Sequence, residues 1–226
     1  MIAWEKLPPQ MKNDAVRPYY DRLSRRRGYL FAKRCFDIVA SLVLLVLLSP
    51  VFLVLGIWIK KDSPGPVFYR QERVTAYGRS FRIFKFRTMV ANADRIGSLV
   101  TTAGDSRITK VGQKIRNSRL DEIPQLLNIL AGDMSFVGTR PEVPKYVAAY
   151  TDEMWATLLL PAGVTSIASI RYKEEDARIA EITAEGITAD DAYTQHILAE
   201  KMKYNFEYLK ECGFWKDLGI CVKTVL

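Results

Sequence analysis

The sequence predicts a helix-rich α/β fold: a small body resting on a kinked apolar helix and on interfacial amphipathic helices. Three observations predict it. An uncharged apolar run extends from Ile38 to Ile59. Helical spacing of apolar residues dominates the chain after Val111. The strand-like segments are few and short.

The chain has 226 residues and no internal repeat, which suits one ordinary domain with attachments. Its 49% hydrophobic and 26% charged residues allow a sizeable core and exclude disorder by composition. Lys+Arg number 33 against 25 Asp+Glu, a net charge of +8 that implies an anionic partner. Nucleic acid, an anionic membrane face and phosphorylated substrates all fit that sign, and charge alone does not choose. Cys35, Cys212 and Cys221 lack metal-ligand spacing, so neither a metal site nor a disulfide framework is expected. The single histidine, His196, is expected at a solvated position on a C-terminal helix.

Residues 1–37 read as a basic interfacial segment. Arg17, Arg22, Arg25, Arg26 and Arg27 are interleaved with Tyr19, Tyr20, Tyr29 and Phe31. That pattern suits a helix on anionic headgroups with its aromatics at the interface. A solvated basic tail or a nucleic-acid arm is the alternative, and the adjoining apolar run favours the headgroups.

Residues 38–59 form the apolar run itself. As a straight helix it would reach roughly 33 Å, enough to span the hydrocarbon of a bilayer. It begins too late and runs too long for a signal peptide, and no small-x-small cleavage site follows. Ser49-Pro50 falls near the middle, where proline removes a backbone donor and imposes a kink. Each half, Ile38–Leu48 and Val51–Ile59, is then roughly one leaflet deep. Lys33 and Arg34 precede the run and Lys60 and Lys61 follow it. Positive charge favours the cytoplasmic side, so a bent helix that enters and leaves through one face satisfies both ends. Physics alone leaves a kinked span open. The carbonyls freed at the kink need partners, and Ser49 is a candidate.

Residues 60–226 form the body. Asp62-Ser63-Pro64-Gly65-Pro66 is a turn-rich exit. Val67–Gln71 and Phe81–Phe86 read as strands joined through Tyr77-Gly78-Arg79, a hairpin. A helix is expected over 92–102, then a loop, then a short basic helix from Val111 to Arg119. Leu120, Ile123, Leu127 and Leu130 recur at helical spacing, with Pro124 in the first turn and Gly132 past the end. Asp121 and Glu122 therefore fall at a helix start. Tyr193–Lys210 and Phe214–Val225 are further helices.

Adjacent carboxylates at a helix start sit near positive backbone donors, which favour ionisation. An ionised aspartate is a competent nucleophile toward phosphorus, and carboxylates also hold Mg²⁺ beside phosphate oxygens. Such residues are, more commonly, plain caps. Context sharpens the choice. Lys110, Lys114, Arg116 and Arg119 precede the pair, Arg140 follows in Val137-Gly138-Thr139-Arg140-Pro141, and Arg82, Lys85 and Arg87 can add to the same field. A diphosphate needs such cations, and guanidinium groups bind its oxygens in pairs. A solvated basic surface is the competing account. There is no glycine-rich phosphate loop of the ATPase or dehydrogenase type.

Three blocks, SPGPVFYRQERV, FRIFKFRTM and RLDEIPQLLNILAGDMSFVGTRP, resemble in order the signature of the monotopic phosphoglycosyl transferases, or bacterial sugar transferases. The kinked run with Ser49-Pro50 is similar to that family's re-entrant membrane helix. The likeness is close over residues 30–147 and faint beyond. It implies that Asp121 attacks the β-phosphate of a UDP-sugar and releases UMP, and that polyprenol (undecaprenyl) phosphate then attacks the phosphosugar-enzyme intermediate. It gives Glu122 a part in Mg²⁺ placement or proton handling, so that Asp121 and Glu122 are the metal candidates. It matches Lys85, Arg116, Arg140 and Asp217 to active-site positions, Arg116 and Arg140 to phosphate, with Pro141 after Arg140 as the pattern expects. Residues 60–226 would be the catalytic domain, on the cytoplasmic face of a bacterial inner membrane and in contact with its lipids, as the first membrane step of a glycan pathway. The chain lacks the extra membrane spans of larger family members, as in the minimal catalytic form.

Two departures stand out. Thr139 occupies a position where the family often has proline, and PAGVTSIASIRYKEEDARI is only loosely like the usual stretch. Segment 161–191 is therefore where sugar choice is placed in doubt, and the donor stays open. So does a homodimer. A membrane-anchored binding protein is the alternative of another class; nucleic acid is not an expected partner, since no recognition module is visible.

Overall fold

The computed structural model describes residues 1–93, 105–172, 175–184 and 186–225. The helix expected over 92–102 lies almost wholly outside them, as does part of segment 161–191.

The N-terminal segment does not stand apart as an interfacial arm. Helix α1 (Arg17–Ser24) follows two short 3-10 turns, and Leu7, Met11, Val16, Tyr19 and Leu23 are buried in the largest apolar cluster, with Leu158, Leu159 and Leu209. The interleaved aromatics are tied inward. Tyr19 donates to Glu153 at 2.6 Å, Tyr20 to the Ile2 carbonyl at 3.1 Å, and Tyr29 to Asp217 at 2.8 Å. Of the four, only Phe31 is exposed. The reason is register: Tyr19 and Tyr20 lie four and three residues before Leu23 on α1, and burying these rings against the body gains more than leaving them at a surface.

Helices α2 (Arg27–Leu47) and α3 (Ser49–Asp62) meet at Leu48 with a bend of 61°. Pro50 sits in the first turn of α3, where its missing N–H costs nothing, and Ser49 Oγ donates to the Val46 carbonyl at 2.8 Å. Among the described residues no single helix is long and apolar enough to cross a membrane; the bent pair meets that test together.

Helix α2 reverses the usual amphipathic pattern. Lys33, Asp37 and Ser41, each four residues apart, face the body and are buried. Val39, Leu42, Val43, Val46 and Leu47 are exposed on the other side. The buried polar groups are satisfied: Lys33 pairs with Asp217 at 2.6 Å, and Asp37 accepts the Phe136 N–H at 3.1 Å. Both ends of the pair are fastened to the same body. Arg34 donates to the Ile129 and Leu130 carbonyls (2.6 and 2.9 Å), and at the far end Asp62 accepts the Val111 N–H at 3.2 Å.

The hairpin is present. Strands β1 (Phe68–Val74) and β2 (Ser80–Phe86) pair antiparallel, with Tyr69 opposite Lys85. Tyr77 and Gly78 take positive φ in the turn. Helix α4 (Lys110–Asn117) realises the basic helix, capped by Thr109 Oγ1 accepting from the Gly112 N–H. The dyad does not open an α-helix. It lies in a 3-10 turn, Leu120–Gln125, ahead of the short helix α5 (Leu126–Ala131). Pro124 inside the turn has no N–H to donate, so the 13-atom ladder cannot form until after it.

One feature has no precedent in the strand pattern: β3 (Met134–Val137) pairs in parallel with β4 (Ala162–Thr165). Gly138 and Gly163 allow the approach, since a Cβ on Gly163 would sit 2.2 Å from the Gly138 nitrogen. The chain is completed by the short helices α6 (Pro144–Val147), α7 (Ile167–Arg171), α8 (Glu175–Thr183) and α9 (Ala189–Ala192), a π-turn at Tyr193–Ile197, and α10 (Leu198–Glu211) and α11 (Phe214–Val225). His196 is exposed in the π-turn, and all three cysteines are free thiols.

Candidate active site

Three pieces of chain place the charged residues. Strand β2 carries Lys85. The turn before α5 carries the dyad, and it is held to β2 by Asn128, which accepts from the Phe84 N–H at 2.8 Å and donates to the Arg82 carbonyl at 3.0 Å. The loop after β3 carries Arg140. It is fixed from both sides: Gly163 N–H donates to the Thr139 carbonyl at 2.8 Å, and Arg73 donates to the Pro141 carbonyl at 3.0 Å. Thr139 also ties its hydroxyl to the Thr157 carbonyl at 3.0 Å, a bond that a proline there lacks the group to make.

Together these bring Lys85 Nζ to 3.0 Å from Glu122 Oε1 and 3.9 Å from Asp121 Oδ2, and Arg140 Nη2 to 3.2 Å from the same Glu122 oxygen. The two carboxylates therefore ionise differently. Burial opposes the charge on Glu122, but Lys85 and Arg140 outweigh it and hold the group far below the ordinary carboxylate range. For Asp121 burial wins: it pushes the pKa up, with Glu122 adding to the rise and Lys85 only partly offsetting it. The expectation that helix-start donors favour ionisation of both thus fails for Asp121. A 3-10 turn broken by proline supplies no such array of donors.

Asp121 lines a cleft of about 620 Å³ together with Lys85, Arg116 and Arg140. Glu122 instead borders a second, mostly apolar space of about 420 Å³, with Leu44 and Leu48 at the α2–α3 bend, Leu126, Phe136 and Arg119. The dyad is the wall between them.

Asp217 is not brought to this cleft. It is buried under α2, where Lys33, Tyr29 (2.8 Å) and Tyr208 (3.0 Å) occupy its oxygens. It is a clamp between α2, α10 and α11, and the structure does not bring it together with Lys85, Arg116 and Arg140. Arg87 is likewise spent: its guanidinium donates to the Ser63 and Pro64 carbonyls (2.7 and 2.8 Å), closing the end of α3. Arg82 is exposed and lines neither space.

The structure adds residues with no local signature. Glu142, Tyr193 and Lys201 meet on the cleft wall, Tyr193 donating to Glu142 at 2.6 Å and Lys201 to Tyr193 at 2.7 Å. Lys201 interrupts the apolar stripe of α10, which is the trace this group leaves in the sequence.

Among the described residues no cluster of three or more His, Cys, Asp or Glu side chains suits a metal cage. The dyad offers two adjacent carboxylates, one of them on the cleft wall. That donor set fits Mg²⁺, which takes one or two carboxylates and completes its shell with phosphate oxygens and water.

The chain matches the bacterial sugar transferase family over residues 28–226. It is 36% identical over 201 residues to the UDP-N-acetylgalactosamine-undecaprenyl-phosphate N-acetylgalactosaminephosphotransferase of Aeromonas hydrophila, covering 87% of this chain and 43% of that protein. It is 35% identical over 196 residues to the UDP-glucose:undecaprenyl-phosphate glucose-1-phosphate transferase of Caulobacter vibrioides, covering 85% of this chain and 68% of that one. The chain thus spans less than half of the first relative's length and about two thirds of the second's.

Proposed function

This chain belongs to the bacterial sugar transferase family, and we propose that it transfers a sugar 1-phosphate from a UDP-sugar to undecaprenyl or another polyprenol phosphate, releasing UMP. The carrying observation is a carboxylate, Asp121, on the wall of a cleft whose other lining includes Lys85, Arg116 and Arg140.

In the first step an Asp121 carboxylate oxygen attacks the β-phosphorus, the one that bears the sugar. The bond from that phosphorus to the oxygen bridging the two phosphates breaks, and UMP leaves with the electron pair. The sugar phosphate is then held as an acyl phosphate on Asp121. In the second step an oxygen of the lipid phosphate attacks the same phosphorus, Asp121 leaves as a carboxylate, and a polyprenol diphosphosugar results. Such transfers depend on positioning and charge neutralisation more than on proton shuttling. Lys85, Arg116 and Arg140 supply the cations. Glu122, ionised and fixed between Lys85 and Arg140, orients both. Asp121 and Glu122 are the side chains that would hold Mg²⁺, which supplies further neutralisation of phosphate charge when bound.

The same reading puts the α2–α3 pair in the membrane as a re-entrant element. Its outward face is apolar, and both its ends are bonded to one body, which supports re-entry over a straight span. The body then rests on the cytoplasmic face, where UDP-sugars are made.

The test is direct: purified protein with Mg²⁺, undecaprenyl phosphate and a panel of UDP-sugars releases UMP with at least one donor. The panel also identifies the sugar, which the two relatives do not share. Tight lipid binding without UMP release from any donor would overturn the proposal in favour of an anchored binding protein.

A further inference from the structure

We infer that the apolar groove on the Glu122 side is the entry for the lipid-borne phosphate, and that Arg119 is the residue that receives its headgroup. This rests on the transfer reading above.

The groove is built from opposite material to the cleft. Leu44, Leu48, Ile123, Leu126, Val164 and Ile170 make its walls, and the two from α2 continue outward into the exposed apolar face of that helix. An apolar chain lying along α2 therefore meets mostly aliphatic walls on its way to Glu122, with Thr165, Ser169 and Thr224 the polar residues among them. Among the described residues the one cation lining the groove is Arg119, beside Glu122. Apolar walls leading to a single guanidinium match a ligand with a long hydrocarbon tail and a terminal phosphate. A nucleotide sugar, polar throughout, matches the cleft instead.

Arg119 is also held in a backbone conformation that argues for its side chain. It follows the end of α4 with φ 53° and ψ 21°, the left-handed region. That is the position where helices favour glycine, because any Cβ there is strained. Three described non-glycine residues adopt positive φ, and of these only Arg119 lies near the dyad, two residues before Asp121. The guanidinium makes no hydrogen bond or ion pair among the described residues; within the fold its charge acts at longer range on Glu122, helping to hold that group ionised, and its hydrogen-bonding groups are left for a ligand. Strain kept beside reacting groups is the usual mark of a side chain retained for what it binds. Seated there, a phosphate is held beside the dyad until UMP has left the cleft, and it then attacks the phosphosugar from the side away from the departing Asp121 oxygen.

The test is a split between the two substrates in the full reaction, with the whole chain in detergent or nanodiscs. Arg119→Gly removes the guanidinium and relieves the backbone, so the variant folds at least as well as the parent. It should raise the KM for undecaprenyl phosphate about tenfold or more, the loss of one charge-assisted contact, while the KM for the UDP-sugar stays within about twofold. Arg119→Lys should recover part of the acceptor KM. Ile170→Trp, which narrows the groove without touching charge, should raise the acceptor KM alone. Equal changes in both KM values, or no change in either, would overturn the assignment. Exchange of labelled UMP into UDP-sugar by the parent protein without lipid is the separate control: if it is absent, the two-step reading itself fails, whatever Arg119 does.

Discussion

Two spaces meet at neighbouring residues and are made of different things. The cleft that Asp121 lines is walled by a polar hairpin and by arginines. The groove that Glu122 borders is walled by aliphatic side chains from the helix bend, α5 and β4. A single 3-10 turn divides them, and it sets adjacent carboxylates to opposite tasks: Glu122 is locked as an anion by two cations, while Asp121 is left with a raised pKa and one cation at 3.9 Å. On the proposed reaction the contrast gives a water-soluble donor and a lipid acceptor separate surfaces, each of its own polarity, with a shared element two residues long.

The contrast breaks most severely at Asp121, the proposed nucleophile. Asp121→Asn should cut turnover by about 10⁴-fold or more, since no other carboxylate of the dyad faces the cleft. The same substitution should leave stability at neutral pH unchanged or higher. A carboxyl whose folded pKa is raised contributes stability only below its unfolded value, about 3.9, and that contribution is gone once pH passes the folded pKa. A thermal melt at pH 7 alongside the UMP assay checks both halves.

Lys85→Ala comes next. It removes the cation common to both carboxylates and should lower kcat/KM by about 10²–10³-fold, as the loss of a preorganised charge does elsewhere. With that cation gone, Glu122 loses part of what holds its pKa down, so the variant should also lose stability at a higher pH than the parent on acidification. The sign follows from linkage: a depressed carboxyl stabilises above its unfolded pKa, about 4.3, and loses that contribution as pH falls.

Outside both spaces, Asp217→Asn should unsettle the fold and spare the chemistry. Breaking a buried pair costs about 3–5 kcal/mol, which for a chain of this size lowers Tm by roughly 10 °C. The KM for donor and acceptor should be retained below that temperature. A selective change in either KM would return Asp217 to the active site.

Smaller still is the pH effect. Because burial raises Asp121, the acid limb of kcat/KM should fall above the pH at which an ordinary aspartate titrates, about 3.9. An acid limb at or below that value would contradict the asymmetry of the dyad.

Much of this was legible before the structure. The hairpin, the basic helix and the kink at Ser49-Pro50 follow from patterns local to a few residues, whereas the grouping of Lys85, Arg116, Asp121 and Arg140 was implied by the family resemblance of three separate blocks. What escaped depends on partners far away in the chain. Asp217 carries no sign that Lys33, 184 residues earlier, fills its carboxylate. Tyr19 and Tyr29 look interfacial until Glu153 and Asp217 claim their hydroxyls. The parallel pairing of β3 with β4 needs two glycines to face each other across 25 positions, and no short-range spacing encodes it. The inverted face of α2 lay between these cases: Lys33, Asp37 and Ser41 are visible at helical spacing, but only a body with matching groups shows which side is inward.

The measurement closest to the central claim is the intact mass of the protein after incubation with its UDP-sugar and Mg²⁺, without lipid. The account predicts a population heavier by one sugar phosphate, mapped to Asp121, discharged by undecaprenyl phosphate and absent from Asp121→Asn. An adduct on another residue, or steady UMP release dependent on lipid with no adduct at any time, would contradict it.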